Sequence, residues 1–300
     1  MHNKYFLLLA LAGSLWGFQP VTVKLVVAEM DPSTLIPIRY FLSGLTLFAI
    51  MKLKGETKFL PPKECLFGLA MMGLFGVTIN NGAQFSGLRY STVANATLIG
   101  AATPAITAFL AAIFIRERLL ILQWIGIFIS LAGTLYLISG GSLAVILNTS
   151  FNFGDILFFI AQVGWAICCL ISTKMMKKMS VLSVTAWFGL IGSVFTAIYG
   201  EMTVGLDVPQ LSWTAAASFL FIVWGGGVAA MMCWNTGVHH VGASTASIFL
   251  NFMPIVGIVS AAFTLGEVIS LNEVFGAVVI IIGVYITTHG PQINKRLFHR

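Results

Sequence analysis

Long apolar runs alternate with short polar breaks along the whole chain. A hydrocarbon core about 30 Å thick is crossed by roughly 20 helical residues. On that measure the pattern predicts ten spanning helices, near 5–27, 32–51, 65–88, 91–115, 120–139, 154–173, 181–200, 212–238, 241–265 and 270–289. Two breaks are short and only weakly polar, Leu88–Ser91 and Val238–Val241. Without them each flanking stretch would be too long for one bilayer crossing. The first run, with Lys4 before it and Ala10-Leu11-Ala12 inside it, continues well past any signal-peptidase site and reads as an uncleaved helix. The fold class expected is an all-α integral membrane protein.

Composition closes off the alternative. Of 300 residues, 58% are apolar and 9% charged, against about 25% charged in a soluble domain. That is too little charge to coat a globule of this size. The net charge of +6 needs no nucleic acid, because its distribution follows the loops. If both termini face the cytoplasm, the inner segments hold Lys4, Lys52, Lys54, Lys58, Lys63, Arg116, Arg118, Lys174, Lys177, Lys178, Lys295, Arg296 and Arg300, and the outer loops hold only Arg89. Most acidic residues fall outside: Glu29, Asp31, Asp155, Glu201, Asp207, Glu267 and Glu273. The positive-inside rule therefore puts both termini in the cytoplasm. Compact loops incline the reading to a bacterial inner membrane. Cys65, Cys168, Cys169 and Cys233 have no metal-ligand spacing and read as small buried hydrophobes. No metal or cofactor is expected.

The two halves repeat at a shift of 150 residues. Arg89–Ala96 lies over His239–Ala246, Pro104 over Pro254, Glu117 over Glu267, Gly126 over Gly276 and Gly133 over Gly283; Trp16 matches Trp165 one residue short of that shift. Five helices per repeat is an odd number, so the second copy enters the membrane inverted. Inverted repeats characterise secondary transporters, with a site near the midplane between two related gates. The domain division expected is 1–139 and 154–289 for the repeats, 140–153 as an outer linker and 290–300 as a cytoplasmic tail. Ile115-Arg116-Glu117-Arg118-Leu119, then Gln123-Trp124-Ile125-Gly126 and Ala132-Gly133, resembles the end of an EamA repeat, and Leu265-Gly266-Glu267 with Gly276 and Gly283 resembles it again. The resemblance, to the drug/metabolite transporter (DMT) superfamily, covers nearly the whole chain. It implies ten helices and metabolite transport; relatives include YddG-type exporters of aromatic amino acids, and no motif here selects that branch.

Candidate binding residues are polar or tryptophan side chains inside the spans, where each needs a partner or a watery cavity. Arg39 is the sharpest, about two turns into the second helix, where burial of a cation costs roughly 2.5–3.5 kcal/mol. It suits a substrate carboxylate or phosphate; bonding to freed carbonyls or snorkelling is the alternative. Trp16 and Gln19, Asn80 and Gln84, and Gln162 and Trp165 share helix faces, and Asn235 and Asn251 lie on similar stripes in the eighth and ninth helices. Trp187 is a further candidate. Amides and indoles together suit an amphipathic zwitterion or planar organic molecule, and interhelical bonding is the competing role for each. Pro104 and Pro254, in equivalent helices, suit hinges. Glu117 and Glu267, where helices begin, suit the helix dipole.

The function expected is export of amino acids or related carboxylate-bearing metabolites by alternating access. A broad-specificity carrier, or one for sugars or nucleotides, is the alternative. An ion channel, a scaffold and an enzyme find no supporting motif, and no carboxylate lies clearly inside a span to relay protons. Substrate and bilayer are the partners expected, and a monomer is compatible with the sequence. A reporter fused after Arg300 is expected on the cytoplasmic side and one inserted beside Asp207 on the outer side; reversed signals would overturn the orientation.

Overall fold

The computed structural model describes residues 3–56, 58–148, 152–265 and 270–298. Ten of its helices are long and apolar enough to cross a membrane. They are α1 (Asn3–Val27), α2 (Pro32–Leu53), α3 (Lys63–Gly87), α4 (Asn95–Phe114), α5 (Ile121–Ile138), α6 (Phe153–Met175), α7 (Val181–Thr203), α8 (Trp213–Val241), α9 (Ala243–Ser260) and α10 (Leu271–Phe298). No strand occurs among the described residues.

The helix starts explain the short loops. Asp31 Oδ1 accepts from Ser33 N at 2.8 Å, and Pro32 fills the first turn of α2. Ser180 and Ser212 cap α7 and α8 through Ser183 N at 3.1 Å and Ala215 N at 3.2 Å. Ser270 and Glu273 cap α10 reciprocally, at 3.2 and 2.6 Å. Each cap satisfies backbone donors that a helix end would otherwise leave unpaired. Across the loops, Glu29 accepts both Ser212 N and Ser212 Oγ at 2.7 Å, which holds its carboxyl below the usual carboxylate range.

Two predicted boundaries move. Helix α8 runs on through Val241, and the turn is made by Gly242 alone at φ 84°, a region open to glycine. The last helix continues past 289 to Phe298, although only Leu271–Pro291 is apolar enough to span. The hydrophobic pattern marks only the bilayer-spanning part, and the helix runs through Gly290 and Pro291 and on beyond it.

Equivalent helices of the two repeats meet in pairs, α2 on α7 and α5 on α10. The glycines shared by the repeats form the second contact. A Cβ on Gly126 would lie 2.7 Å from Gly283 O, and one on Gly283 would lie 2.7 Å from Gly126 O. Gly133 fits against Ile280, and Gly276 against Leu137. The first helices cross over: α1 packs on α8 and α9, and α6 on α3 and α4. Gly13 and Gly17 bring α1 against the carbonyls of Phe249 and Met253 in α9, and Gly164 brings α6 against Phe75 O in α3.

Helices three and four of each repeat depart from α geometry at matching places. Gly73–Ile79 in α3 and Ile222–Ala230 in α8 are π-helical. Helix α4 is interrupted by a turn at Ala101–Ala102, and α9 by a 3₁₀ stretch at Ile248–Asn251. Pro104 and Pro254 follow these interruptions, in the first turn of Thr103–Phe114 and of Phe252–Leu265. There the missing proline N–H falls where the preceding turn has already broken the ladder.

Gly283→Leu is expected to destabilise the bundle by about 1–3 kcal/mol through overpacking against α5. Gly100→Leu, at a position with open space around it, should be tolerated. Thermal unfolding of the purified variants would check both.

Candidate functional site

Halfway along α1 and α6, Trp16 and Trp165 meet edge to face, with ring centroids 5.7 Å apart. Trp234 of α8 completes the cluster at 5.4 Å from Trp16 and 6.0 Å from Trp165. Trp165 lies twelve residues into α6, about 18 Å from its start, which is near mid-bilayer. The sequence signal for Trp16 and Trp165 is their repeat match. Trp234 has no tryptophan counterpart, because residue 84 at that shift is Gln84, and sequence reasoning missed it. Trp16 Nε1 donates to Gly226 O at 3.1 Å, inside the π-helical stretch of α8. The Gln19 amide lies against Gly226 as well, and in the other repeat Cys168 lies against Gly76.

The candidate amides bridge helices. Asn80 donates to Ala161 O at 2.9 Å, and Gln162 Oε1 accepts from Thr103 Oγ1 at 2.8 Å. Asn235 donates to Thr185 Oγ1, and Asn251 to Ser130 Oγ, both at 2.8 Å. Thus Gln162 and Asn80 join the tryptophan region through α6, whereas Asn235 ties α8 to α7 and Asn251 ties α9 to α5. Gln84 is half-buried near the end of α3. Trp187 points elsewhere: its Nε1 donates to Phe59 O at 2.7 Å, and its ring abuts Phe48 at 5.2 Å. It closes the connection between α2 and α3.

Arg39 stands seven residues past the start of α2, about 10 Å along it. Its Nη2 donates to Asn81 Oδ1 at 3.1 Å and reaches Tyr40 OH at 3.4 Å. The guanidinium carbon is 4.7 Å from the Tyr40 ring centroid, a cation–π distance. Its Nε is buried and has no hydrogen-bond partner. Among the described residues Lys178 pairs with Glu64 at 3.4 Å, and no carboxylate lies within ion-pair distance of Arg39. Both π-helical stretches adjoin it. Asn81 also donates to Val77 O at 2.7 Å, and Ser43, whose Oγ bonds Arg39 O at 2.7 Å, reaches Val223 O at 3.0 Å.

Two carboxylates matter. Asp155, in the first turn of α6, is buried and accepts from Ser91 Oγ at 2.5 Å, Asn95 Nδ2 at 3.0 Å and Asn152 N at 2.6 Å. It ties the starts of α4 and α6 together; the Asn152–Asp155 capping spacing was the available signal. Glu117 follows α4 on the face that carries both chain ends. It lies against the start of α9 rather than its own helix α5, with Oε1 where a Cβ on Gly242 would be 2.7 Å away. Burial pushes its carboxyl above the ordinary value, and the facing Ser244 groups pull weakly the other way. Glu117 Oε2, Ser244 Oγ and Thr107 Oγ1 are all buried without a partner at hydrogen-bonding geometry. Its repeat counterpart Glu267 lies outside the described residues.

Beside Glu117 a cavity of about 590 Å³ opens on the terminus face, lined by Arg116, Lys174, Lys177, His239 and Gly242. Arg116 holds φ at 55°, a left-handed conformation that costs a non-glycine residue on the order of 1–3 kcal/mol. Among the described residues no three His, Cys, Asp or Glu side chains gather to hold a metal.

Paired inverted repeats, irregular helices around a midplane cluster and an unpaired intramembrane cation define a secondary-transporter architecture. The EamA-like transporter family matches residues 3–139 and 152–289, and the chain belongs to it, within the drug/metabolite transporter superfamily. It is 29% identical over 276 residues to the uncharacterized transporter YyaM of Bacillus subtilis, covering 91% of this chain and 89% of that one. It is 26% identical over 285 residues to the uncharacterized inner membrane transporter YedA of Escherichia coli, covering 93% and 89%. A solved structure superposes with a TM-score of 0.82 at 18% identity, over 99% of this chain and 100% of that chain, and so shares the fold. The protein is a multi-pass membrane transporter.

Because the folded form binds the Glu117 proton more tightly than the unfolded chain does, that group favours folding increasingly as pH falls through its raised pKa. Wild type is therefore expected to gain thermal stability relative to Glu117→Gln on acidification from neutral pH. A relative loss would contradict burial as the dominant cause.

Proposed function

We propose that the protein exports amino acids or related carboxylate-bearing metabolites across the cytoplasmic membrane by alternating access, with Arg39 receiving the carboxylate. The observation that carries this reading is the state of Arg39: a cation inside a span, with one buried N–H unpartnered and no carboxylate within ion-pair distance among the described residues. A membrane cation held only by neutral groups such as Asn81 and Tyr40 keeps an unmet charge, and a bidentate carboxylate supplies both charge and acceptors. The tryptophan cluster offers an apolar, planar surface for the remainder of such a molecule. The amides Asn80 and Gln162 are exchangeable partners beside it.

The pathway follows from the irregular segments. Helices α4 and α9 meet between the midplane and the terminus face, where Thr107 Oγ1, Ser244 Oγ and Glu117 Oε2 are buried and unpartnered. Such groups are stabilised by water when the seam opens. The π-helical stretches and the turns before Pro104 and Pro254 are where the gate helices bend. The excess of basic residues on the terminus face supports a cytoplasmic orientation for it, and on that reading the α4–α9 seam is the inner gate.

Export is tested by profiling metabolites released from cells that express wild type, Arg39→Ala or Arg39→Lys at matched membrane levels. Release of one carboxylate-bearing class is expected, abolished in the alanine variant. The lysine variant should fall about tenfold, since an ammonium keeps charge but loses the bidentate fork. Release undiminished by Arg39→Ala would overturn the role of Arg39. Release of chemically unrelated compounds would favour a broad-specificity carrier.

A further inference from the structure

We propose that the cavity on the terminus face is a loading site, where a small soluble anion bearing carboxylate or phosphate groups docks before it enters the α4–α9 seam. The site is separate from Arg39, and only the identification of its ligand as the exported metabolite rests on the reading above.

Three cations from two parts of the chain converge there. Arg116 comes from the α4–α5 connection, Lys174 from the last turn of α6 and Lys177 from the turn that follows it. The dipole of α6 accounts for a cation in its last turn. It does not account for Arg116, nor for the shared concavity. A positive-inside bias explains how many cations lie on this face, not why three of them line one hollow. Lys178, their neighbour in sequence, is paired with Glu64, whereas none of these three meets a carboxylate within ion-pair distance among the described residues. The acidic group at the rim, Glu117, is turned toward Gly242 at the start of α9 and meets none of the three cations within ion-pair distance. His239 adds a further donor to the rim. At about 590 Å³ the hollow is the size of a small-metabolite pocket.

The position gives the site its use. The cavity wall includes Gly242, the turn from which α9 starts, and Glu117, which lies against that start. An anion held there stands at the mouth of the seam where the unpartnered hydroxyls of Ser244 and Thr107 lie buried. Convergent positive charge raises the local concentration of anions and speeds their capture.

The test uses the purified full-length chain in nanodiscs of neutral phosphatidylcholine, with succinate as probe and choline chloride at matched ionic strength as control. The Arg39→Gln background removes the candidate carboxylate-binding cation inside α2. Unfolding temperature should rise saturably with succinate in Arg39→Gln. Adding Arg116→Gln, Lys174→Gln and Lys177→Gln should weaken the apparent affinity by roughly tenfold or more. Lys177→Gln alone, at an exposed position, should weaken it less and guards against misfolding of the combined variant. No saturable effect in Arg39→Gln, or an effect indifferent to these substitutions, would overturn the proposal. So would loss of the succinate effect when phosphatidylglycerol is added, since the hollow would then hold a lipid headgroup. If cellular export ignores Arg39→Ala while succinate still binds the Arg39→Gln protein, the role of Arg39 falls and the loading site stands.

Discussion

In a hydrocarbon environment a backbone N–H or C=O without a partner costs several kcal/mol, and that constraint governs where this protein can be irregular. A π-helical stretch or a broken turn leaves carbonyls poorly paired, so it can exist only where another part of the protein covers it. The two repeats meet this requirement by exchange. Each sends its first helix across to the irregular helices of the other. Trp16 Nε1 bonds Gly226 O in the π-helical stretch of α8. Ser43 bonds Val223 O in the same stretch, and Asn81 bonds Val77 O in the stretch of α3. The groups that stabilise the irregular backbone are therefore the groups that surround the candidate site.

The glycine pattern serves the same economy. Lipid chains are as apolar as leucine, so helix association in the bilayer depends on close packing and hydrogen bonds. Gly126 and Gly283 bring α5 and α10 into backbone contact, while Gly13 and Gly17 do so for α1 and α9. The α5–α10 pair joins equivalent elements and is regular throughout. The α1–α9 contact, by contrast, rests on the 3₁₀ stretch of α9. The first contact therefore joins two regular helices, and the second involves an irregular one.

The electrostatics divide by depth. Arg39 lies within a span and is short of partners, whereas Asp155 at a span end is fully bonded. A carboxylate with three or more donors is fixed in place and has little capacity left for a ligand. The arginine keeps donors in reserve. The Glu117 carboxyl lies between these cases, held against the start of α9 yet with one oxygen unpartnered.

Much of the architecture was legible in the sequence, because the bilayer imposes one length and one polarity on every span. Ten runs, the repeat shift and the alternation of basic loops come from that one-dimensional constraint, as does the pairing of Trp16 with Trp165. The repeated glycines could be read as packing residues, but their partners could not. The tertiary structure decided contacts that cross between repeats. It placed Trp234 beside two tryptophans more than 60 residues away in sequence, turned Trp187 toward the α2–α3 connection, and set Glu117 against α9 instead of α5. It also replaced simple proline kinks in α4 and α9 with a turn at Ala101–Ala102 and a 3₁₀ stretch at Ile248–Asn251 just before the prolines. Periodicity along one helix fixes which face a side chain occupies. Which neighbour that face meets depends on how two inverted repeats interlock, and that is settled only when both are folded together.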